Sequence, residues 1–362
     1  MKKIPQLDAI RGLAVLLVLI HNTDVYPSLH LGAIADNGWM GVDLFFVLSG
    51  FLITGILLDT KQSAAYFKNF YARRCLRIWP LYYSALFFMF VVVPLIRPSE
   101  AQTIFAARSS PWWSYLIFLQ NFLVPLPTGA TGLLGVTWSL AVEEQFYLIW
   151  PLVVRFCNQS QLRRIAITVI CISPALRFYL SLHRVDIYSN TFCRLDGLMA
   201  GALLALLVRS SSFIPSKFVL PTWIALLVSA PLALIVERND GTFHARWIVF
   251  SLVALASVSF VYLGLFSKQR WLQALLTNRF LVYTGTISYG IYLLEKIPLD
   301  AVKALHLEQH AWLAFPLTTV VTYALATLSW NLLERPVLRL KRFFDNGVTP
   351  RQKAVEKLVP AA

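Results

Sequence analysis

Ten apolar stretches, each about as long as a membrane is thick, follow one another along this chain and leave it few ways to fold. A helix needs about 20 mostly apolar residues to cross the hydrocarbon. Only helices and closed barrels satisfy their backbone polar groups there. The stretches are residues 9–26, 39–58, 79–96, 136–155, 164–182, 192–208, 218–236, 246–266, 280–297 and 312–333. The 362 residues are 57% hydrophobic and 14% charged, which excludes an ordinary soluble domain. The expected fold is all-α, a polytopic membrane protein of about ten transmembrane helices. Tryptophans near the run ends, among them Trp39, Trp79, Trp150 and Trp271, suit interfacial belts. The shorter piece Trp112–Val124 reads as a re-entrant or interfacial segment, or as an eleventh span.

Charge placement separates these counts. With ten spans and a cytoplasmic N-terminus, the inner segments collect Lys2 and Lys3, Lys61 to Arg77, Arg155, Arg163, Arg164, Arg209 and Lys217. Lys268, Arg270, Arg279 and the tail from Arg335 join them. An eleventh span would put the residues after Trp112–Val124 on the wrong side. The positive-inside rule therefore selects ten spans with both termini cytoplasmic. The net charge of +14 is explained by these loops facing an anionic leaflet, so membrane lipid is an expected partner and nucleic acid is not.

The organisation expected is one membrane domain, residues 1–340, followed by a basic cytoplasmic tail, 341–362. The N-terminus has a basic start and an apolar core, like a signal peptide. A charged residue opens the apolar run and no small-residue cleavage site follows, so it reads as a retained helix. Cys75, Cys157, Cys171 and Cys193 form no CxxC pair and lie in or beside apolar runs, suggesting neither a disulfide framework nor a metal site. No P-loop, GxGxxG or GxSxG occurs, and no internal repeat is visible.

Ionisable residues at membrane depth are costly and mark candidate sites. Arg11 opens the first span and His21 lies inside it. At about 1.5 Å per residue His21 falls in the outer half. The fourth span runs the opposite way, which predicts that one of Glu143 and Glu144 can share its depth. A neutral imidazole beside a carboxylate is a suitable general base, and Asp24 is another candidate orienter. A histidine bonded between helices is the plainer reading. Asp43 sits near the outer interface, where it either lines a cavity or is simply solvated. Ser49 reads more readily as a helix-packing hydroxyl than as a nucleophile. Arg73, Arg74 and Arg77 group on one helical face, suited to phosphate capture or to ordinary anchoring at the inner surface. Arg194 and Asp196 stand at the outer mouth of the sixth span, as an acceptor pocket or as an interhelical pair.

Several long segments taken in order resemble the bacterial integral-membrane acyltransferase 3 family. They are LDAIRGLAVLLVLIHN, GWMGVDLFFVLSGFLITGILL, FYARRCLRIWPLYY, TWSLAVEEQFYLIWP, RLDGLMAGALLA and ISYGIYLLEKIPL, with Glu334–Pro336 at the C-terminal end. The resemblance implies transfer of an acyl group, usually acetyl, from cytoplasmic acyl-CoA (here acetyl-CoA) to a hydroxyl on an extracytoplasmic glycan or glycolipid. It places Arg11 and His21 at the family's first-helix positions. Arg74 and Arg77, or Arg73 in place of Arg74, fall in its basic inner motif, and Glu143 and Glu144 in its acidic fourth-helix motif. Family members often carry a histidine where this chain has Glu295. The family's appended esterase-like domain is not expected here, so the bundle would present the acceptor alone or with a partner.

The expected activity is thus O-acyl transfer, with His21 as general base or acyl relay, acetyl-CoA as donor and no metal. Arg11, His21, Glu143 and Glu144 are the expected catalytic residues. Arg73, Arg74 and Arg77 would bind the donor. Asp43, Ser49, Arg194 and Asp196 would bind the acceptor. A proton-coupled transporter or exporter accounts for a buried histidine and carboxylates equally well.

Overall fold

The computed structural model describes residues 4–22, 32–96, 111–123, 132–239 and 245–344. Asp24 and the tail from residue 345 lie outside them. Every regular element among these residues is helical. In chain order they are α1 (Pro5–His21), α2 (Gly32–Asn37), α3 (Met40–Thr60), α4 (Tyr66–Phe87), α5 (Val93–Ile96), α6 (Trp112–Leu116), α7 (Gln120–Leu123), α8 (Gly132–Gly135) and α9 (Thr137–Phe156). There follow α10 (Gln159–Leu182), α11 (Thr191–Val208), α12 (Pro215–Asn239), α13 (Arg246–Phe266), α14 (Arg270–Leu276), α15 (Arg279–Thr286), α16 (Ser288–Leu294), α17 (Lys296–Ala304), α18 (Ala311–Ser329) and α19 (Arg335–Arg339). A short 3₁₀ helix, Leu340–Phe344, closes the described chain.

Seven helices are long and apolar enough to cross a membrane: Ile34–Thr60, Tyr66–Ile96, Gln159–Leu182, Thr191–Val208, Pro215–Arg238, Arg246–Phe266 and Ala311–Phe344. Three of the ten expected stretches are absent from this set. The first, α1, has 17 residues. The fourth, α9, carries Glu143, Glu144 and Arg155 within its 20 residues. The ninth is broken into α15, α16 and α17. Pro298 lacks the N–H that would bond to the Leu294 carbonyl, so the ladder stops at the end of α16. The segment Trp112–Val124 is no continuous helix in its described part: α6 and α7 are short, and Phe118 between them has φ of 57°.

Two long helices end in π-helical turns, Phe88–Val92 and Trp330–Glu334. Each lies just before a proline, Pro94 and Pro336. A proline ring clashes with the carbonyl four residues back, and a wider turn relieves that clash.

The core is built on α3 and α11. In the most apolar 18-residue window of Ile34–Thr60, 78% of residues are buried, against 11% for Pro215–Arg238 on the periphery. Glycines allow the central crossing. A Cβ on Gly50 would stand 1.9 Å from the Leu198 carbonyl oxygen, and one on Gly201 would stand 2.0 Å from that of Val47. Such backbone proximity needs small residues at the interface. Three contacts in sequence, Asp43–Arg194, Gly50–Leu198 and Asp59–Arg209, make α3 and α11 parallel. Ser49–Glu143 and Thr54–Trp150 make α9 parallel to them. The α1 helix runs against α3, because Gly41 faces Ala14 and Gly38 faces His21. The broken segment α15–α16 runs alongside α1 in the same sense: Gly285 meets Gly12 and Glu295 meets Asn22.

Candidate functional site

An elongated cavity of about 240 Å³ lies between α1, α3, α4, α9 and α16. Its wall includes Arg11, Ser49, Arg74, Arg77, Glu143 and Tyr147, with Ser139, Tyr289 and Tyr292. Along α3 it extends from Ile56 to Val42, about 21 Å at the helical rise. Helix α4 brings Arg74 and Arg77 to one end because residues three apart share a face.

Mid-cavity, three polar side chains form a closed cluster. Ser49 donates to Glu143 Oε1 at 2.5 Å. The Tyr147 hydroxyl stands 3.1 Å from both Ser49 Oγ and Glu143 Oε2. Glu143 and Tyr147 share a face of α9 at the i, i+4 spacing. The Arg74 guanidinium lies over the rings of Tyr147 and Phe70, 5.8 and 5.9 Å from their centroids. Its Nε is buried without a hydrogen-bond partner. Arg77 lies 5.7 Å over Trp330. Arg11 pairs with Asp8 at 2.9 Å, one turn earlier on α1. Towards the other end, Ser139 Oγ and Tyr292 OH are 2.6 Å apart, and Tyr292 OH also donates to the Val136 carbonyl at 3.0 Å.

His21 is not in this wall. It is the last residue of α1, and its Nδ1 stands 2.7 Å from the Ala35 carbonyl oxygen. A carbonyl only accepts, so a neutral ring bonded this way carries its proton on Nδ1 and presents a lone pair at Nε2. A Cβ on Gly38 would stand 2.8 Å from the His21 Cβ, which sets the level of His21 two residues before α3 begins. Val42, the first α3 residue of the wall, is four residues on, or about 6 Å. The imidazole therefore sits about one turn beyond the cavity's end.

The same measure corrects the expectation that His21 shares a depth with the glutamates. Ser49, which holds Glu143, is eleven residues from Gly38, or about 16 Å along the axis. The reason is that His21 is the last residue of α1, at its end and not within it. Asn22, next to His21 in the chain, donates to Glu295 at 2.6 Å and accepts from Lys296 at 2.5 Å.

The other expected residues scatter. Glu144 accepts from Trp79 Nε1 at 3.3 Å, with its second oxygen buried and unpartnered. Arg73 points away from the wall and donates to the Phe344 carbonyl at 3.4 Å. Asp43, Arg194 and Asp196 belong to a buried network elsewhere. Arg194 pairs with Asp43 at 2.8 Å, Arg177 pairs with Asp196 at 2.8 Å, and Ser251 donates to Asp196 at 2.9 Å. The Arg194 guanidinium also lies over four rings, closest to Phe250 at 4.1 Å. Sequence reasoning missed Ser139, Tyr147 and Tyr292, which read there as apolar-run residues. Tyr147 had one usable signal, its i+4 spacing from Glu143. Among the described residues no group of His, Cys, Asp and Glu could hold a metal ion.

Comparison with known proteins identifies the family. A family model, described as an acyltransferase domain and named acyltransferase 3, matches residues 4–331. The chain is 28% identical to the peptidoglycan O-acetyltransferase OatA of Listeria monocytogenes, over 93% of this chain and 56% of that protein. It is 30% identical to YrhL of Bacillus subtilis, provisionally named a peptidoglycan O-acetyltransferase, over 92% and 55%. A provisionally named O-acetyltransferase of Staphylococcus aureus, SACOL0978, is 27% identical over 93% and 57%. The chain thus spans about half the length of the curated relatives it matches. No solved structure matches it. The match runs through every helix that walls the cavity, and the chain belongs to the acyltransferase 3 family.

Proposed function

We propose that this protein moves an acetyl group from cytoplasmic acetyl-CoA to a hydroxyl of an extracytoplasmic glycan, with His21 as the reacting base. The observation that carries this is the cavity, with Arg11, Arg74 and Arg77 towards one end and an imidazole one turn beyond the other. Guanidinium groups take phosphate oxygens in bidentate fashion, so the nucleotide end of CoA belongs at Arg74 and Arg77. The pantetheine arm then lies along the wall past Ser49, Glu143 and Tyr147 and brings the thioester to His21.

As general base, Nε2 removes the proton of the acceptor hydroxyl while its oxygen attacks the thioester carbonyl. The carbon–sulfur bond breaks, the CoA thiolate leaves, and the imidazolium proton passes to it. In the relay version Nε2 itself displaces the thiolate, and the acyl-histidine then yields its acetyl group to the hydroxyl, whose proton passes to the thiolate. Glu143 lies too far from the ring to orient it. It is instead held in the wall by Ser49 and Tyr147, near Arg11 and Arg74. The relatives' names support a peptidoglycan saccharide as acceptor.

The same reading includes ten spans with cytoplasmic termini, adding α1, α9 and the broken α15–α16 segment to the seven apolar helices. The alternating helix directions support it, as does the excess of Lys and Arg at the α3–α4 end of the bundle. The α6–α7 segment is then a re-entrant or interfacial piece at the outer face. Gln120 bonds to the Thr137 carbonyl, and Asn121 to Thr191, both at the outer helix ends.

The test is labelled acetyl-CoA supplied to membranes holding His21→Ala. The expected result is loss of labelled glycan; undiminished transfer would exclude the base and the relay alike. A transporter would move substrate without consuming acetyl-CoA.

A further inference from the structure

The C-terminal 3₁₀ helix packs against α4, where Phe344 accepts from Arg73. This places Lys341, half-buried on that helix, beside the donor end of the cavity. Its strongest electrostatic neighbours are all cations: Arg74, Arg77, Arg73 and Arg11. Asp8, paired with Arg11, and Glu334 approach Arg77, and Glu144 approaches Arg74, but none of these carboxylates is among the foremost neighbours of Lys341. Crowding a lysine onto four arginines is unfavourable unless an anion with several charges comes between them. The buried Arg74 Nε, lacking a partner, points to the same missing ligand.

The five cations are not equivalent. Arg11, Arg74 and Arg77 are in the cavity wall, whereas Arg73 and Lys341 are outside it. Coenzyme A carries a diphosphate directly on the pantetheine arm and a separate phosphate on the ribose 3′ oxygen. An arm threaded into the cavity leaves the diphosphate at the wall and the 3′-phosphate farther out. We propose that Lys341, supplied by the C-terminal 3₁₀ helix and stationed by the Arg73–Phe344 contact, binds the 3′-phosphate of the acyl-CoA donor. The proposal rests on the acetyl-CoA reading above and adds a residue and a subsite to it.

The test uses the full chain in lipid nanodiscs, with acetyl-CoA and 3′-dephospho-acetyl-CoA as donors. Wild type, Lys341→Ala and Lys341→Arg are compared for KM and kcat. One lost charge-assisted contact corresponds to a change of about tenfold or more. Wild type is expected to show that rise in KM when the 3′-phosphate is absent. Lys341→Ala should show it with acetyl-CoA, mainly in KM, and suffer no further loss with the dephospho donor. Lys341→Arg should keep the discrimination. An unchanged KM in Lys341→Ala, or a second full loss on the dephospho donor, would overturn the assignment while leaving the acyltransferase reading intact. No turnover of acetyl-CoA by wild type would remove both.

Discussion

Ser49 and Glu143 meet across the α3–α9 interface at 2.5 Å, and Tyr147 closes the cluster from the next turn of α9. A hydrogen bond to a charged group contributes roughly 1.5–3 kcal/mol, and a buried acceptor left unsatisfied loses more than the contact itself. Ser49→Ala is therefore expected to lower the thermal midpoint of the detergent-solubilised protein and to raise the KM for acetyl-CoA. Tyr147→Phe should do the same more weakly, because Ser49 still holds the carboxylate. Thermal unfolding together with donor kinetics checks both; equal midpoints for wild type and Ser49→Ala would show that the cluster holds nothing.

The buried Asp43–Arg194 pair is expected to serve stability. Both side chains are buried, and removing one partner of such a pair costs about 3–5 kcal/mol by stranding the other charge. Asp43→Asn should express poorly or melt early. Joint replacement, Asp43→Leu with Arg194→Met, should recover most of the midpoint and retain acyl transfer. Recovered stability with transfer abolished would return these residues to the acceptor site.

Gly285 and Asp8 define a third point. A Cβ on Gly285 would lie 1.7 Å from the Asp8 carbonyl oxygen, a backbone atom with no rotamer to yield. Gly285→Ala must push α15 and α1 apart, an overpacking that costs about 1–3 kcal/mol. Because Asp8 pairs with Arg11, the same change should weaken donor binding as well as stability. Melting and donor kinetics that both match wild type would mean the two helices separate freely.

Much of the bundle was legible in the sequence, because α3 and α10 to α13 are unbroken apolar runs whose length alone selects a spanning helix. The broken α15–α17 segment was not. Residues 280–297 read as one apolar run, and Pro298, acting on a carbonyl four residues back, accounts only for the break after α16. Arg11, Arg74 and Arg77 were readable from charge at helical spacing, and the structure brings them to one cavity. The depth of His21 was misjudged for a definite reason. Counting from the ends of an apolar run assumes that the helix fills it, whereas α1 ends at His21. Tyr147 and Tyr292 were hidden because an aromatic hydroxyl in an apolar run looks like any interfacial ring until its partners are known. Asp43, Arg194 and Asp196 show the opposite case. Charges at a helix mouth suggest a pocket, but here the parallel α3 and α11 bring opposite signs to one level and they pair.

The proposed route takes a donor in among the α4 arginines on the cytoplasmic face and brings it to His21 towards the other face. It is tested most directly with inverted membrane vesicles, whose cytoplasmic face is outermost, given labelled acetyl-CoA from outside. Label should appear on glycan in the lumen, and His21→Ala should reduce it at least about a hundredfold, the smallest contribution expected of a general base. Lumenal labelling by His21→Ala at the wild-type rate, or labelling only when acetyl-CoA is inside the vesicle, would contradict the account.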